Sequence, residues 1–343
     1  MKIKITTTVV SSMLLAACIS AEAGSRHSHD GHQGKAEFEF ALIGDTPYGV
    51  LPGTDYPQFE RLTAEINRER KLRWVLHAGD IKAGSTPCSD AMFYDRLERY
   101  NQFRAPVILT LGDNEWTDCH RLAAGEYQPL ERLDKLREVF YPEPGIVTLG
   151  GRSMRVNTQA EIPGYESFPE NVWWQRHGVL FSAIHVVGSS NALAPFAEGS
   201  AAVRTEADDA EVAARIDAAV AMLDLVFAKA QAEDAPGVFI MIHANPGLER
   251  GQRGTEDREG FVEFLTALEQ HTKAYDKPVV LAHGDSHYFR IDQPPLVNDG
   301  FIDNFTRVET YGSSHVHWIR VRVNPRSEQV FSFRQELVEG NGE

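Results

Sequence analysis

VILTLGDNE, residues 107–115, sets the reading of this chain. Its first five residues, Val107 to Leu111, are apolar or β-branched, the composition of a short buried strand. The run stops at Gly112-Asp113-Asn114-Glu115. Two earlier runs stop in the same way, 38–43 at Gly44-Asp45 and 74–78 at Gly79-Asp80. Two later ones stop at imidazoles: 238–242 at His243, and 279–282 at His283-Gly284-Asp285-Ser286-His287.

Segments with helical spacing fill the intervals, at 56–71, 90–103, 129–140 and the long alanine-rich 208–232. Residues 179–187 are strand-like, and 315–323 and 329–337 alternate like an antiparallel hairpin. Strands alternating with helices predict an α/β domain. Residues 145–174 have no clear period and are expected to form a long loop over the site. No internal repeat or second linker interrupts 36–343, so that stretch is expected to be one domain.

In an open α/β sheet, ligands bind outside the carboxyl ends of the strands. A glycine there allows a sharp turn and brings the next side chain to the rim. Five such ends at one edge would gather four carboxylates with two or three imidazoles. Buried together, those carboxylates would repel and take up protons unless cations compensate them. Divalent ions accept oxygen and imidazole ligands. Each cluster alone also reads as a turn or a helix cap; five in order point to a metal site.

The order resembles that of the calcineurin-like metallophosphoesterases, to which the purple acid phosphatases are related: D-x-H, GDxx, GNH[DE], a lone His, then GHxH. Here these are GDTPY at 44–48, GDIKAG at 79–84, GDNE at 112–115, His243 and GDSH at 284–287. The resemblance implies two packed mixed β-sheets flanked by helices, a four-layer sandwich with the site on strand-end loops. It implies two divalent ions: Asp45 and His287 on the first, Asp113, His243 and Asp285 on the second, and Asp80 bridging. It further implies hydrolysis of a phosphate ester by a metal-bridging hydroxide, with a phosphorylated small molecule as substrate.

Three positions depart from the family pattern. Pro47 stands where D-x-H has its histidine, leaving the first ion one ligand short unless Tyr48 or water fills in. Asn114 replaces the GNH histidine, so the candidate catalytic residue donates a hydrogen bond but gives up no proton at neutral pH. Asp285 takes the first histidine position of GHxH, with His283 as its competitor. Carboxylates in place of imidazoles make the site harder, favouring Mn²⁺ or Mg²⁺, with Ca²⁺, iron or Zn²⁺ as alternatives. Lys82, two residues past Asp80, is a candidate substrate phosphate ligand or else a surface lysine. The same departures support a rival reading, a non-catalytic protein binding metal or a phosphorylated ligand.

Lys2 and Lys4 precede an uncharged stretch, 5–20, too short to span a bilayer and suited to a signal peptide. Leu15-Ala16-Ala17-Cys18 resembles a bacterial lipobox ending at a lipidated Cys18; the rival cut follows Ala21-Glu22-Ala23. Either predicts export, as a periplasmic or outer-membrane-attached lipoprotein or as a secreted protein. Residues 19–35 read as a polar linker carrying His27, His29 and His32. Export permits a disulfide. Cys88 and Cys119 leave adjacent strand ends by eight and six positions, so a bridge between them would staple two ligand loops. The net charge of −15 argues against nucleic acid as a partner. Membrane contact is expected only through the lipid.

Overall fold

The computed structural model describes residues 37–49, 51–147, 149–249, 255–298 and 300–342. The stretch expected to be a signal peptide, the histidine-containing segment and Cys18 lie outside the described residues. The strands are β1 (Phe38–Ile43), β2 (Leu72–His77), β3 (Val107–Leu109), β4 (Ile146–Val147), β5 (Met154–Arg155), β6 (Asn157–Thr158), β7 (Val172–Arg176), β8 (Val179–Ala183), β9 (Val238–Met241), β10 (Val279–His283), β11 (Arg290–Asp292), β12 (Phe305–Glu309), β13 (Trp318–Val323) and β14 (Phe331–Glu336). They form a five-stranded sheet in the order β14-β13-β1-β2-β3, a seven-stranded sheet in the order β11-β12-β10-β9-β8-β7-β6, and the pair β4-β5. Strands β1, β2 and β3 are mutually parallel, as are β8, β9, β10 and β12.

The alternation of side chains along each central strand explains the layers. Phe38, Phe40 and Leu42 of β1 pack with Trp74, Phe181, Phe239 and Val280 in a core between the sheets. Ala41 and Ile43 face the other way, with Leu62, Phe93 and Leu136 of the helices Pro57–Arg68, Asp90–Tyr100 and Pro129–Phe140. Val238 and Ile240 of β9 likewise meet Val226 and Leu265 of the helices Glu206–Ala232 and Val262–Tyr275. Because both faces of each sheet are covered, the central strands read as continuous apolar runs. The architecture is the expected mixed α/β sandwich of packed sheets flanked by helices.

Helix starts follow local chemistry. Proline occupies the first turn at Pro57 and Pro129. Thr205 and Asp208 form a capping box on Glu206–Ala232, whose first turn is acidic.

The stretch 145–174 departs from expectation. It is partly ordered into β4 to β7, and its Leu149 carbonyl accepts from Val107 N–H at 3.0 Å, at the start of β3. Its Leu149 end lies at the start of β3, away from the strand-end loops, whereas Thr158 and Val172 pair beside Ala183 at the carboxyl end of β8. The stretch is anchored by buried Glu170, which holds Arg137 at 2.6 Å and His185 Nδ1 at 2.8 Å. Burial alone would raise the Glu170 carboxyl; Arg137 and His185 overcome it and bring the pKa down to about 2.

A carboxyl lowered on folding stabilises above its unfolded value, near 4.5, and loses that contribution as pH falls toward 2. Chemical denaturation between pH 4.5 and 2 should show the wild type losing on the order of 3 kcal/mol more than Glu170→Gln.

Candidate metal centre

Strands β1, β2 and β3 of one sheet and β9 and β10 of the other end on the same rim. Asp45, Asp80, Asp113, His243, Asp285 and His287 all meet there, although up to 242 positions separate them in sequence. Asp45, Asp80 and His243 each bring a ligand atom within 4.8 Å of the other two, and Asp113, His243 and Asp285 do the same. The two groups share His243. His287 joins from the side, its Nε2 lying 3.4 Å from Asp45 Oδ1.

The motif glycines are required by their neighbours. A Cβ on Gly112 would come 2.1 Å from Asp80 Oδ1, and one on Gly284 2.3 Å from Asp45 Oδ2. Each glycine leaves room for the ligand of an adjacent strand end. The ligands are themselves unusual, since Asp45, Asp80, Asp285 and His287 all have positive φ, between 52° and 79°. Non-glycine residues adopt this region at a cost, typically where surrounding contacts fix a functional geometry.

Those contacts can be traced. Asp285 N–H donates to both oxygens of Asp45, at 3.0 and 3.1 Å. Asn245 N–H donates to Asp285 Oδ2 at 2.9 Å. Asn114 N–H reaches Asp80 Oδ1 at 3.1 Å, and its side-chain amide contacts both Asp80 Oδ2 and, at 2.9 Å, the Tyr48 hydroxyl. The Tyr48 hydroxyl also donates to Asp80, while its ring packs against His287 with centroids 5.1 Å apart.

Both imidazoles are oriented alike. His243 Nδ1 lies 2.7 Å from the Ala78 carbonyl, leaving Nε2 3.0 Å from Asp113 and 3.3 Å from Asp80. His287 Nδ1 lies 2.6 Å from the Ser313 carbonyl, with Nε2 toward Asp45. A carbonyl that accepts the Nδ1–H hydrogen bond leaves Nε2 with its lone pair free toward the rim, as metal-binding histidines require. These residues fit divalent cations.

The electrostatics agree. Burial, then Asp113, Glu115 and Asp45, push the Asp80 carboxyl well up. Burial followed by Asp113 raises Asp285 to about 6. Burial opposes protonation of His243, but Asp80, Asp113 and Asp285 hold its pKa well above the ordinary imidazole value. The carboxylates thus demand a positive charge, which a proton on His243 supplies in part. Tyr48 is pushed up by burial and then by Asp80, so its hydroxyl stays protonated.

Two packed sheets carrying paired carboxylate–imidazole groups on their strand-end loops define an α/β protein with a candidate metal site. Residues 38–204 match the family model of the calcineurin-like phosphoesterases, and the chain carries a domain of that family. No curated protein sequence matches the chain. The matched segment includes Asp45, Asp80 and Asp113; the structure adds His243, Asp285 and His287 from beyond it. The chemistry of the family is metal-dependent phosphoester hydrolysis.

Other residues are placed differently from one another. His283 turns away from the rim, with Nε2 4.0 Å from Glu309, and belongs to neither ligand group. Lys82 is fully buried and donates to the Ala83 carbonyl at 3.1 Å, which removes it from a substrate-facing surface. Burial lowers its pKa to about 8 against the pull of Glu115 and Asp80, so it serves as an internal counter-charge. Trp116 and Trp174 are core residues. Cys88 and Cys119 are bridged, with Cα atoms 5.8 Å apart.

Several supporting residues gave little signal in the sequence. Buried Glu115 accepts from Gly112 N–H at 2.5 Å and Ile81 N–H at 3.3 Å, tying two ligand loops together. Ser189 Oγ lies within hydrogen-bonding distance of both Asp113, at 3.0 Å, and Asp118, at 2.9 Å. It sits in a left-handed turn in which Ser189, Ser190, Asn191 and Ala192 all have positive φ, a conformation no propensity rule predicts for those residues.

Gly284→Ala should weaken Mn²⁺ binding about tenfold or more, through displacement of Asp45, as read by titration calorimetry. Replacing both cysteines by serine opens a loop of sequence separation 31 and should lower unfolding free energy by about 3–4 kcal/mol. Denaturant titration with and without reductant measures it.

Proposed function

We propose that this chain is an exported phosphoesterase that uses two divalent ions to hydrolyse a small phosphorylated molecule. The reading rests on two three-ligand groups sharing His243 inside a calcineurin-like phosphoesterase domain. Asp45, Tyr48 and His287 would hold one ion and Asp113, His243 and Asp285 the other, with Asp80 between them. Bound ions of this kind supply charge compensation, a more acidic water and a clamp on phosphoryl oxygens. The hard, carboxylate-rich donor set suits Mn²⁺ or Mg²⁺.

The protein's own residues orient and charge-balance this rim. Asn114 fixes Asp80 through backbone and side-chain contacts, and Tyr48, whose hydroxyl donates to Asp80, or water would fill the position that Pro47 leaves without a ligand. With an amide at residue 114, no histidine at that position protonates a leaving group. General acids contribute about 10²–10⁴-fold where they act. The enzyme should therefore favour esters with good leaving groups.

Purified full-length protein with Mn²⁺ or Mg²⁺ is expected to hydrolyse aryl phosphates, with rates that fall steeply as the leaving-group pKa rises. Asp80→Asn should lose both turnover and one metal equivalent by elemental analysis. Wild-type turnover no greater than that of Asp80→Asn on aryl mono- and diesters sinks the proposal. Pro47 and Asn114 favour a second reading, a non-catalytic binder; it predicts at most one tightly held ion and saturable phosphate binding without turnover.

A further inference from the structure

The end of the sheets opposite the metal centre carries an unusual concentration of charge. Two adjoining hollows of about 330 and 390 Å³ share Arg70, Leu72 and Arg152. Arg104 lines the first, and Arg73, Arg155 and Arg176 line the second. Six arginines thus gather on one wall of a chain whose net charge is −15. Among the described residues none of the six forms an ion pair; Arg104 and Arg152 reach only backbone carbonyls, those of Asn67 and Arg104. The one carboxylate lining either hollow, Glu69, is held by Arg320 at 3.2 Å.

This wall is not a balanced surface. Arg176 lies over the Phe38 ring at 5.3 Å and has a buried Nε with no hydrogen-bond partner. Burial and then Arg73 push its pKa down, and burial, Arg176 and Arg73 do the same for His177. Uncompensated like charges this close favour an anionic partner.

The position narrows the choice of partner. Glu39 pairs with Leu72, so β1 begins beside the start of β2, and Phe38 stacks near Trp74 with centroids 5.5 Å apart. The chain therefore enters the domain at the arginine wall, so the expected lipid-bearing N-terminus would tether this face rather than the metal rim. The six residues of β2 put the wall about 20 Å or more from the metal rim. A small substrate does not reach both.

We propose that the wall formed by Arg70, Arg73, Arg104, Arg152, Arg155 and Arg176 docks on an anionic phospholipid surface. Guanidinium groups pair well with phosphate oxygens, often through two hydrogen bonds. The exposed arginines would engage headgroup phosphates, and the acidic metal rim would face the solution. The inference does not rest on catalysis, since the wall is remote from the metal ligands.

The test uses the full chain and flotation with vesicles of pure phosphatidylcholine or of phosphatidylcholine containing phosphatidylglycerol. Any membrane contact made by the N-terminus contributes to both, so the excess binding to phosphatidylglycerol isolates the charge effect. Each arginine near an anionic surface contributes about fivefold. The variant Arg70→Glu/Arg73→Glu/Arg155→Glu should lose at least on the order of a hundredfold of that excess. The glutamine triple variant should fall between, and salt should weaken the wild type. Melting temperature, metal content and turnover of a soluble ester should match wild type in the variant used; if the glutamate triple fails to fold, the glutamine triple decides. Excess binding unchanged by the substitutions overturns the proposal. So does an absence of excess together with arginine-dependent binding of inorganic polyphosphate, which would assign the wall to a soluble anion.

Discussion

Mutual repulsion among buried carboxylates is the constraint around which this molecule is arranged. Asp45, Asp80, Asp113 and Asp285 come from strand ends far apart in sequence and share one rim, the first three of them buried. No arrangement of neutral neighbours makes that tolerable, because taking charge out of water is costly unless opposite charge accompanies it. His243 is placed between the two groups, and Lys82 lies beneath them. Backbone amides of Asn114, Asn245 and Asp285 aim at the carboxylates. The layers of helix and sheet bring five strand ends together and hold them against the resulting strain.

Much of this could be read from residue order. The glycine–aspartate endings located the rim, and the apolar runs before them located the parallel strands, because strands covered on both faces need unbroken apolar sequence. Other elements were hidden for physical reasons. The helix Val262–Tyr275 has no capping side chain and begins directly after a short 3₁₀ turn, so no start signal marks it. Strand β12 is interrupted by Arg307, a buried residue whose charge is met by Asp292 and Glu249. Such a partner comes from elsewhere in the fold and leaves no local trace. The stretch containing β7 reads as loop because its anchor, Glu170 with Arg137 and His185, is also non-local.

The site shows the same division. Ligand identity was legible because it depends on the residue at a strand end. The choice between His283 and Asp285 was not, since it depends on which way the chain turns after β10. Neither reading of Lys82, substrate phosphate ligand or surface lysine, anticipates its burial, because sequence proximity to Asp80 does not say on which side of the loop a side chain lies. Ser189 acts through a left-handed turn, and that conformation is imposed by packing alone.

The close fit of each glycine against a neighbour's ligand has an evolutionary consequence. Ligand positions can exchange imidazole for carboxylate, since either can meet a cation, and this chain carries one such exchange, at Asp285, relative to the family pattern. The spaces between them admit no side chain. Variation around the rim is therefore free in chemistry and frozen in volume. A lineage could retune which metal it prefers by single steps while being unable to alter the spacing of the ring that holds it.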